Sequence, residues 1–104
     1  MANLDESQTR EYINVDHAML KSWVIEVFCK LGVPRKDAEV TADVLVAADL
    51  RGIESHGVAR LGRYTGRLMK GLISPVASPV IVRETPSIAL IDGNNGLGQP
   101  VAKW

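Results

Sequence analysis

Residues 48–61 read ADLRGIESHGVARL, and this stretch separates the helical first half of the chain from the strands that follow it. Gly52 is expected to end the preceding helix, because glycine readily adopts the left-handed backbone conformation found after helix C-termini. Ser55 is a good N-cap residue. The sequence therefore predicts a third helix from Ser55 to about Lys70, with Gly71 as its stop.

A helix over this segment would gather one histidine and three arginines on one side. At about 100° per residue these side chains fall within a stripe roughly 60° wide; they are His56, Arg60, Arg63 and Arg67. The apolar side chains of the segment, such as Leu61 and Leu68, fall on the opposite side and would anchor the helix. The cationic side would then face water or an anion.

The pair His56 and Arg60 suggests a specific reaction. An arginine binds a carboxylate through two parallel hydrogen bonds, and a histidine exchanges a proton near neutral pH. A start of the helix at Ser55 would also place His56 in the field of the helix N-terminus, which favours the neutral imidazole. Reversible reduction of a 2-oxo acid would use the arginine to hold the carboxylate and the histidine to protonate the carbonyl oxygen. Ser55 would either orient the histidine ring or serve only as a cap.

A solvated arginine stripe opposite an apolar face is the alternative interpretation. Arg63 and Arg67 are then surface residues or form ion pairs between subunits. Gly62 and Gly66 share a face of the predicted helix, which indicates either close packing of a neighbouring helix or the approach of a ligand.

Two further helices are predicted before residue 52. Asp16 is expected to cap the first, which Gly32 ends, and its apolar stripe comprises Leu20, Trp23, Val24, Val27, Phe28 and Leu31. Pro34 lies at the entrance of the second, whose stripe comprises Ala38, Thr41, Ala42, Leu45 and Ala48. Asp49 continues this stripe and is expected to mark its emergence into solvent. His17 is expected to be exposed, and Cys29 to be an inert thiol that points away from the stripe.

The pattern changes after Gly71. Two short strands are predicted, Val80–Glu84 and Ser87–Ile91, and Pro86 disfavours a tight hairpin between them. The run from Gly93 to Gly98 does not match the dinucleotide-binding glycine pattern and is predicted to be a turn first and a ligand loop second. Residues from Gly98 to Trp104 begin another element.

These elements predict a mainly α N-terminal helical domain of three helices, followed by the first strands of an incomplete α/β domain. The predicted divisions are a flexible lead-in at 1–14, the helical domain at 15–73 and the start of the α/β domain at 74–104. Two strands alone form a marginal sheet. We therefore expect the chain to be the N-terminal piece of a longer architecture.

Composition excludes several classes of protein. The 104 residues contain twelve basic and twelve acidic side chains, so no overall charge attracts nucleic acid or an anionic membrane. With Cys29 as the single cysteine, no internal disulfide is possible and no metal site is predicted. No signal peptide or membrane-spanning run is recognisable. A reduced, cytoplasmic protein is the expectation.

The segment from Ala48 to Leu61, with its pattern R-G-x-x-S-H-G-x-x-R, resembles the malate/L-lactate dehydrogenase family, which is unrelated to the Rossmann lactate dehydrogenases. The run from Asp92 to Gln99 also looks like that family, at a compatible distance downstream. The similarity covers roughly Val15 to Trp104. Pro100, at the start of the following helix, departs slightly from the pattern.

The resemblance implies roles for three residues. His56 would be the proton donor to the substrate carbonyl, Ser55 its relay or orienting partner, and Arg60 the ligand of the substrate carboxylate. It also implies NAD or NADP as cofactor, bound in a non-Rossmann α/β domain by residues that this sequence does not identify, and a homodimer. Because most of that domain would lie beyond Trp104, the isolated chain is expected to be inactive. A helical binding module whose arginine stripe docks an acidic partner is the alternative function.

Overall fold

The computed structural model describes residues 13–104. In chain order the elements are α1 (His17–Lys30), α2 (Arg35–Leu50), two 3₁₀ turns (Glu54–His56 and Val58–Arg60), α3 (Leu61–Met69), β1 (Val80–Glu84), β2 (Ala89–Asp92) and α4 (Gly98–Lys103). Of the predicted lead-in at 1–14, residues 1–12 lie outside the described residues. The predicted fold class, a helical region followed by the first strands, is confirmed.

Helix α1 has the ends that the sequence predicts. The Asp16 carboxylate accepts a hydrogen bond of 3.0 Å from the backbone N–H of Ala18, and Gly32 follows the helix with a φ of +92°. Val24, Ile25 and Phe28 are its buried residues, and the predicted stripe residues Leu20, Val27 and Leu31 pack partly buried against the same core. Trp23 is 56% exposed, contrary to prediction, because the buried face turns toward Ile25 and leaves Trp23 at its edge.

Helix α2 packs along α1 through small side chains. Its buried residues are Ala38, Thr41, Ala42, Leu45 and Val46. Thr41 is compatible with this core because its hydroxyl donates to the backbone carbonyl of Asp37 at 2.9 Å. Cys29, predicted to point away from the apolar stripe, is instead partly buried against this core as a free thiol. The alanines let the helices approach closely around Phe28, which is fully buried.

The third helix begins at Leu61 instead of Ser55. Leu61 and Leu68 bury its apolar side, and the ring of Tyr64 lies 6.5 Å from that of Phe28 at an angle of 50°. The predicted packing of a neighbouring helix on Gly62 and Gly66 is wrong for the described residues, since a β-carbon at either glycine would meet nothing within 4 Å.

The two strands form an antiparallel hairpin. β1 has the predicted bounds, whereas β2 is Ala89–Asp92 in place of the predicted 87–91. The predicted loose connection is wrong: Glu84 pairs with Ala89, and the N–H of Thr85 donates to the carbonyl of Ile88 at 2.7 Å, so residues 85–88 form a tight turn. The register slips between Ile81 and Arg83, and every residue of both strands is exposed.

The turn after β2 connects the hairpin to the helices. Asn94 and Asn95 both have positive φ, as the predicted turn requires, and the N–H of Ser74 donates to the carbonyl of Asn95 at 2.7 Å. Leu97 then joins the helical core. Pro100 fits in α4 because it lies in the first turn, where backbone N–H groups lack helical partners. Within residues 13–104, no helix is long and apolar enough to cross a bilayer.

Candidate active site

The segment that carries Ser55, His56 and Arg60 is not a continuous helix. His56 ends one 3₁₀ turn, Arg60 ends the next, and Gly57 lies between them with extended backbone angles (φ −97°, ψ −150°). The predicted continuous helix from Ser55 is therefore wrong: Gly57 separates His56 from the helical backbone at 58–69 that carries the three arginines. The predicted influence of a helix N-terminus on His56 is also wrong, since α3 starts five residues later.

Asp49 is the physical reason for this break. Its Oδ2 accepts a hydrogen bond of 2.9 Å from the N–H of Val58. In a continuous helix that N–H would donate to the carbonyl of Glu54, four residues earlier. The sequence predicts that Asp49 emerges into solvent, but this side chain is half-buried and holds the loop that follows α2.

Ser55 brings the other two site residues together. Its Oγ shares a hydrogen bond of 2.9 Å with Nδ1 of His56, and its backbone carbonyl accepts a hydrogen bond of 2.6 Å from Nε of Arg60. One interpretation of the sequence predicts that Ser55 caps a helix, and this prediction is wrong. It lies between an imidazole and a guanidinium and contacts both.

The three side chains are open to a ligand. Ser55 and His56 are exposed, and Arg60 is partly exposed. Arg60 has no carboxylate partner within residues 13–104. Because its Nε donates to Ser55, the two terminal nitrogens are left to bind an anion, and Nε2 of His56 is left to exchange a proton.

Arg63 and Arg67 lie outside this group. Both are exposed on α3, and neither has an ion-pair partner in the part of the chain that the structure describes. His17, as predicted, is exposed at the first residue of α1. Arg60 ends the 3₁₀ turn directly before α3, so it precedes Arg63 and Arg67 on an unbroken helical backbone, while its Nε is held by the Ser55 carbonyl.

A cleft of about 590 Å³ lies between α3 and the segment that precedes α4. Tyr64, Arg67 and Gln99 contribute to its lining. The side-chain N–H of Gln99 donates to the Tyr64 hydroxyl at 3.3 Å, and its Oε1 is buried without a partner in the described residues. The sequence gives no signal for this contact, because the two residues are 35 positions apart.

The residues of the Gly93–Gly98 run form a closed turn. The N–H of Gly96 donates to the carbonyl of Gly93 at 3.0 Å, and the Asn94 side chain donates to the carbonyl of Ser78. The interpretation of this run as a turn is confirmed. Within residues 13–104, no group of three or more metal-ligand side chains comes together.

The displaced pKa values lie on α1 and α2. A hydrogen bond and the charge of Lys21 lower the pKa of the Asp43 carboxyl, and a hydrogen bond with Glu26 raises the pKa of Arg35. Both pairs are exposed. They belong to the surface of the two long helices and not to the group around Ser55.

The comparisons with known proteins agree with one another. The family described as malate/L-lactate dehydrogenase matches residues 15–104. The malate dehydrogenase of Pyrococcus horikoshii is 51% identical over 90 residues, which are 86% of this chain and 25% of that protein. The L-sulfolactate dehydrogenase of Methanocaldococcus jannaschii is 49% identical over 83 residues, which are 80% of this chain and 24% of that protein.

A solved structure of the Pyrococcus horikoshii malate dehydrogenase superposes with a TM-score of 0.86 at 47% sequence identity. The superposition covers 99% of this chain and 28% of that chain. The present chain thus spans about a quarter of the length of the relatives it matches. The described fold, hairpin included, follows that of a dehydrogenase three to four times as long.

Proposed function

Because the chain belongs to the malate/L-lactate dehydrogenase family, we propose that it is the N-terminal part of an oxidoreductase that interconverts a small 2-hydroxy acid and its 2-oxo acid with NAD or NADP. The observation that carries this proposal is the double contact of Ser55, whose hydroxyl meets His56 and whose carbonyl meets Arg60. One residue thereby holds a proton donor and a carboxylate-binding group side by side.

Arg60 binds the carboxylate of the acid. Its Nε is engaged by Ser55, so the terminal nitrogens face the ligand and can donate two parallel hydrogen bonds. This contact fixes the acid at one end and presents the adjacent carbonyl group to His56. It also distinguishes a 2-oxo acid from a neutral ketone, because a ketone would leave the guanidinium without its anion.

His56 supplies the proton. In the protonated ring, Nδ1–H donates to Oγ of Ser55, and Nε2–H donates to the carbonyl oxygen of the substrate. As the carbonyl carbon accepts a hydride, the oxygen takes the proton from Nε2 and becomes the hydroxyl of the product. The Ser55 hydroxyl can accept from or donate to Nδ1, so it keeps the ring oriented in both protonation states.

NAD or NADP supplies the hydride in this class of reaction. The Gly93–Gly98 run does not match the dinucleotide-binding glycine pattern and forms a turn in which the N–H of Gly96 donates to the carbonyl of Gly93. No residue of this chain is assigned to the cofactor. Our proposal places its binding site in the remaining part of a longer cytoplasmic protein, which forms a homodimer and of which residues 15–73 are a helical domain.

The role of His56 is tested in the complete protein that carries this chain. His56→Ala should lower kcat by about 10²- to 10⁴-fold, the usual contribution of a general acid. The substrates to test are the 2-oxo acids that are reduced to malate, lactate and sulfolactate. Binding of NADH and NADPH, followed by fluorescence, should change little. His17→Ala is the matched control and should keep full activity; an undiminished rate in His56→Ala would remove His56 from the mechanism.

The role of Arg60 is tested in the same assays. Arg60→Ala should weaken binding of the 2-oxo acid by roughly 2–5 kcal/mol, because the substrate carboxylate loses its partner. Arg63→Ala is the matched control, since Arg63 is exposed on α3 and lies outside the group. Unchanged KM and kcat in Arg60→Ala would contradict the assignment. The 104-residue chain itself should show no turnover.

A further inference from the structure

Asp49 touches the loop that carries the site at two adjacent residues. Its Oδ2 accepts from the N–H of Val58 at 2.9 Å, nine residues further along the chain. Its carboxylate also lies directly against Gly57, where a β-carbon would come within 2.6 Å of Oδ2 and still closer to Oδ1. Two independent features therefore fit the carboxylate to this loop: a donor for it and the absence of a side chain in its way.

Asp49 belongs to helix α2 and not to the loop that it contacts. It lies in the last turn of α2, and its own backbone carbonyl accepts from the N–H of Gly52 at 3.0 Å. Helix α2 also contributes both buried alanines of the core, Ala38 and Ala42. The Asp49 carboxylate thus ties the loop to helix α2, which is part of the core.

The contact shapes the backbone between His56 and Arg60. With the N–H of Val58 bound to Asp49, the backbone runs extended through Gly57 and turns twice, once before it and once after it. This path lets Nε of Arg60 return to the carbonyl of Ser55 at 2.6 Å. A continuous helix would replace the Val58 contact with a backbone bond and would remove this double turn.

We propose that Asp49 is a positioning residue for the reaction: its carboxylate holds the loop at Gly57 and Val58 in the one conformation that places His56 and Arg60 on the same substrate. The inference rests on the proposed function and deepens it. Asp49 touches neither reacting atom. It acts through the backbone of the loop, by a charge-assisted hydrogen bond that a neutral acceptor reproduces in part.

The test compares three substitutions in the complete protein. Asp49→Ala removes the acceptor and should lower kcat/KM for the 2-oxo acid about 100-fold, a typical result of misplaced catalytic groups. Asp49→Asn keeps an oxygen acceptor and should stay within about fivefold of the parent protein. Asp43→Ala, on the same helix, loses only an exposed pair with Lys21 and is the matched control.

A purely structural role is separated from positioning by the choice of readout. In Asp49→Ala, kcat should fall and KM for the oxo acid should rise, whereas binding of NADH and the circular dichroism spectrum should stay unchanged. Should that variant fail to fold, Asp49→Asn and Gly57→Ala still provide the test. Kinetic constants of Asp49→Ala or Gly57→Ala equal to those of the parent protein would overturn the proposal.

A double-mutant cycle tests the contact itself. Gly57→Ala places a β-carbon where the carboxylate lies and should mimic Asp49→Ala. The combined variant should then be no worse than either single variant, because both remove the same interaction. Fully additive losses would overturn the proposal. If His56→Ala loses activity but Asp49→Ala behaves like the parent protein, only the positioning role is refuted. If His56→Ala keeps full activity, the proposed function is refuted.

Discussion

The helices at 17–69 and the hairpin at 80–92 are built from similarly apolar sequence but end in opposite environments. Phe28, Val24 and Leu45 are enclosed completely or almost completely. In contrast, Val80, Val82 and Leu90 are all more than half exposed. Hydrophobicity alone therefore does not determine burial in this chain. The helices pack against one another and bury their apolar side chains, whereas the two strands pair with each other and, within the described residues, no further element covers them.

This difference indicates that the helices contribute most of the stability of the described chain. A hydrophobic side chain stabilises in proportion to the apolar area it removes from water, and the hairpin removes little. Its position relative to the helices depends on the turn contacts between Ser74 and Asn95 and between Ser78 and Asn94, together with the buried Leu97. The following predictions test this division, beginning with the largest effect.

Phe28→Ala should lower the free energy of unfolding of the 104-residue chain by about 3–5 kcal/mol, because it leaves a cavity in the packed core. Leu90→Ala in the hairpin should change it by less than about 0.5 kcal/mol, because Leu90 is 58% exposed. Urea denaturation followed by circular dichroism measures both. Equal losses would show that the hairpin contributes to stability as much as the helices do.

Leu97→Ala tests the connection between the two regions. Leu97 is 2% exposed in the helical core, so its truncation should cost roughly 2–3 kcal/mol, toward the lower part of the range for buried leucines. Amide hydrogen exchange should accelerate in residues 80–92 more than in α1 and α2. Uniform acceleration along the chain would argue against a separate anchoring role for Leu97.

A smaller effect than at Phe28 or Leu97 is expected at the exposed pair of Lys21 and Asp43, 2.9 Å apart on the surface of the two long helices. Lys21 lowers the pKa of the Asp43 carboxyl. The pair therefore stabilises above the unfolded pKa of an aspartate, about 3.9, and the gain is lost as the pH falls through the lower folded value. At pH 6 it should be worth about 0.2–1 kcal/mol.

Thermal unfolding of the parent chain and Asp43→Asn between pH 6 and pH 2 measures this contribution. The difference in stability between the two proteins should be largest near neutral pH and should disappear in acid. A difference that persists at the lowest pH would show that the two side chains contribute through packing and not through charge.

Local rules predicted the elements whose ends depend on neighbouring residues. Asp16 caps α1, Gly32 and Gly52 follow helix ends with positive φ, and β1 has its predicted bounds. For the helix ends the deciding contact or backbone angle lies within a few residues along the chain, and β1 pairs with a strand that follows it directly. The sequence itself then contains nearly all of the physical information that is needed.

Prediction failed where a contact spans a longer distance. The helix expected from Ser55 does not form because the N–H of Val58 donates to Asp49. Helix propensities of single residues do not include such a contact. Trp23 fits the apolar spacing of α1, yet it is exposed and Ile25 is buried instead. The assignment of Ser55, His56 and Arg60 to one site remains a prediction, although Ser55 contacts each of the other two residues.

The contact of Arg60 with the Ser55 carbonyl also restricts the direction from which an anion can approach. A guanidinium offers two edges for a forked pair of hydrogen bonds, and one of these edges includes Nε. Since Nε is occupied, only the terminal edge is free, and a carboxylate has to arrive end-on. A lysine at this position has a single ammonium group and could not close the loop and receive the ligand with the same geometry.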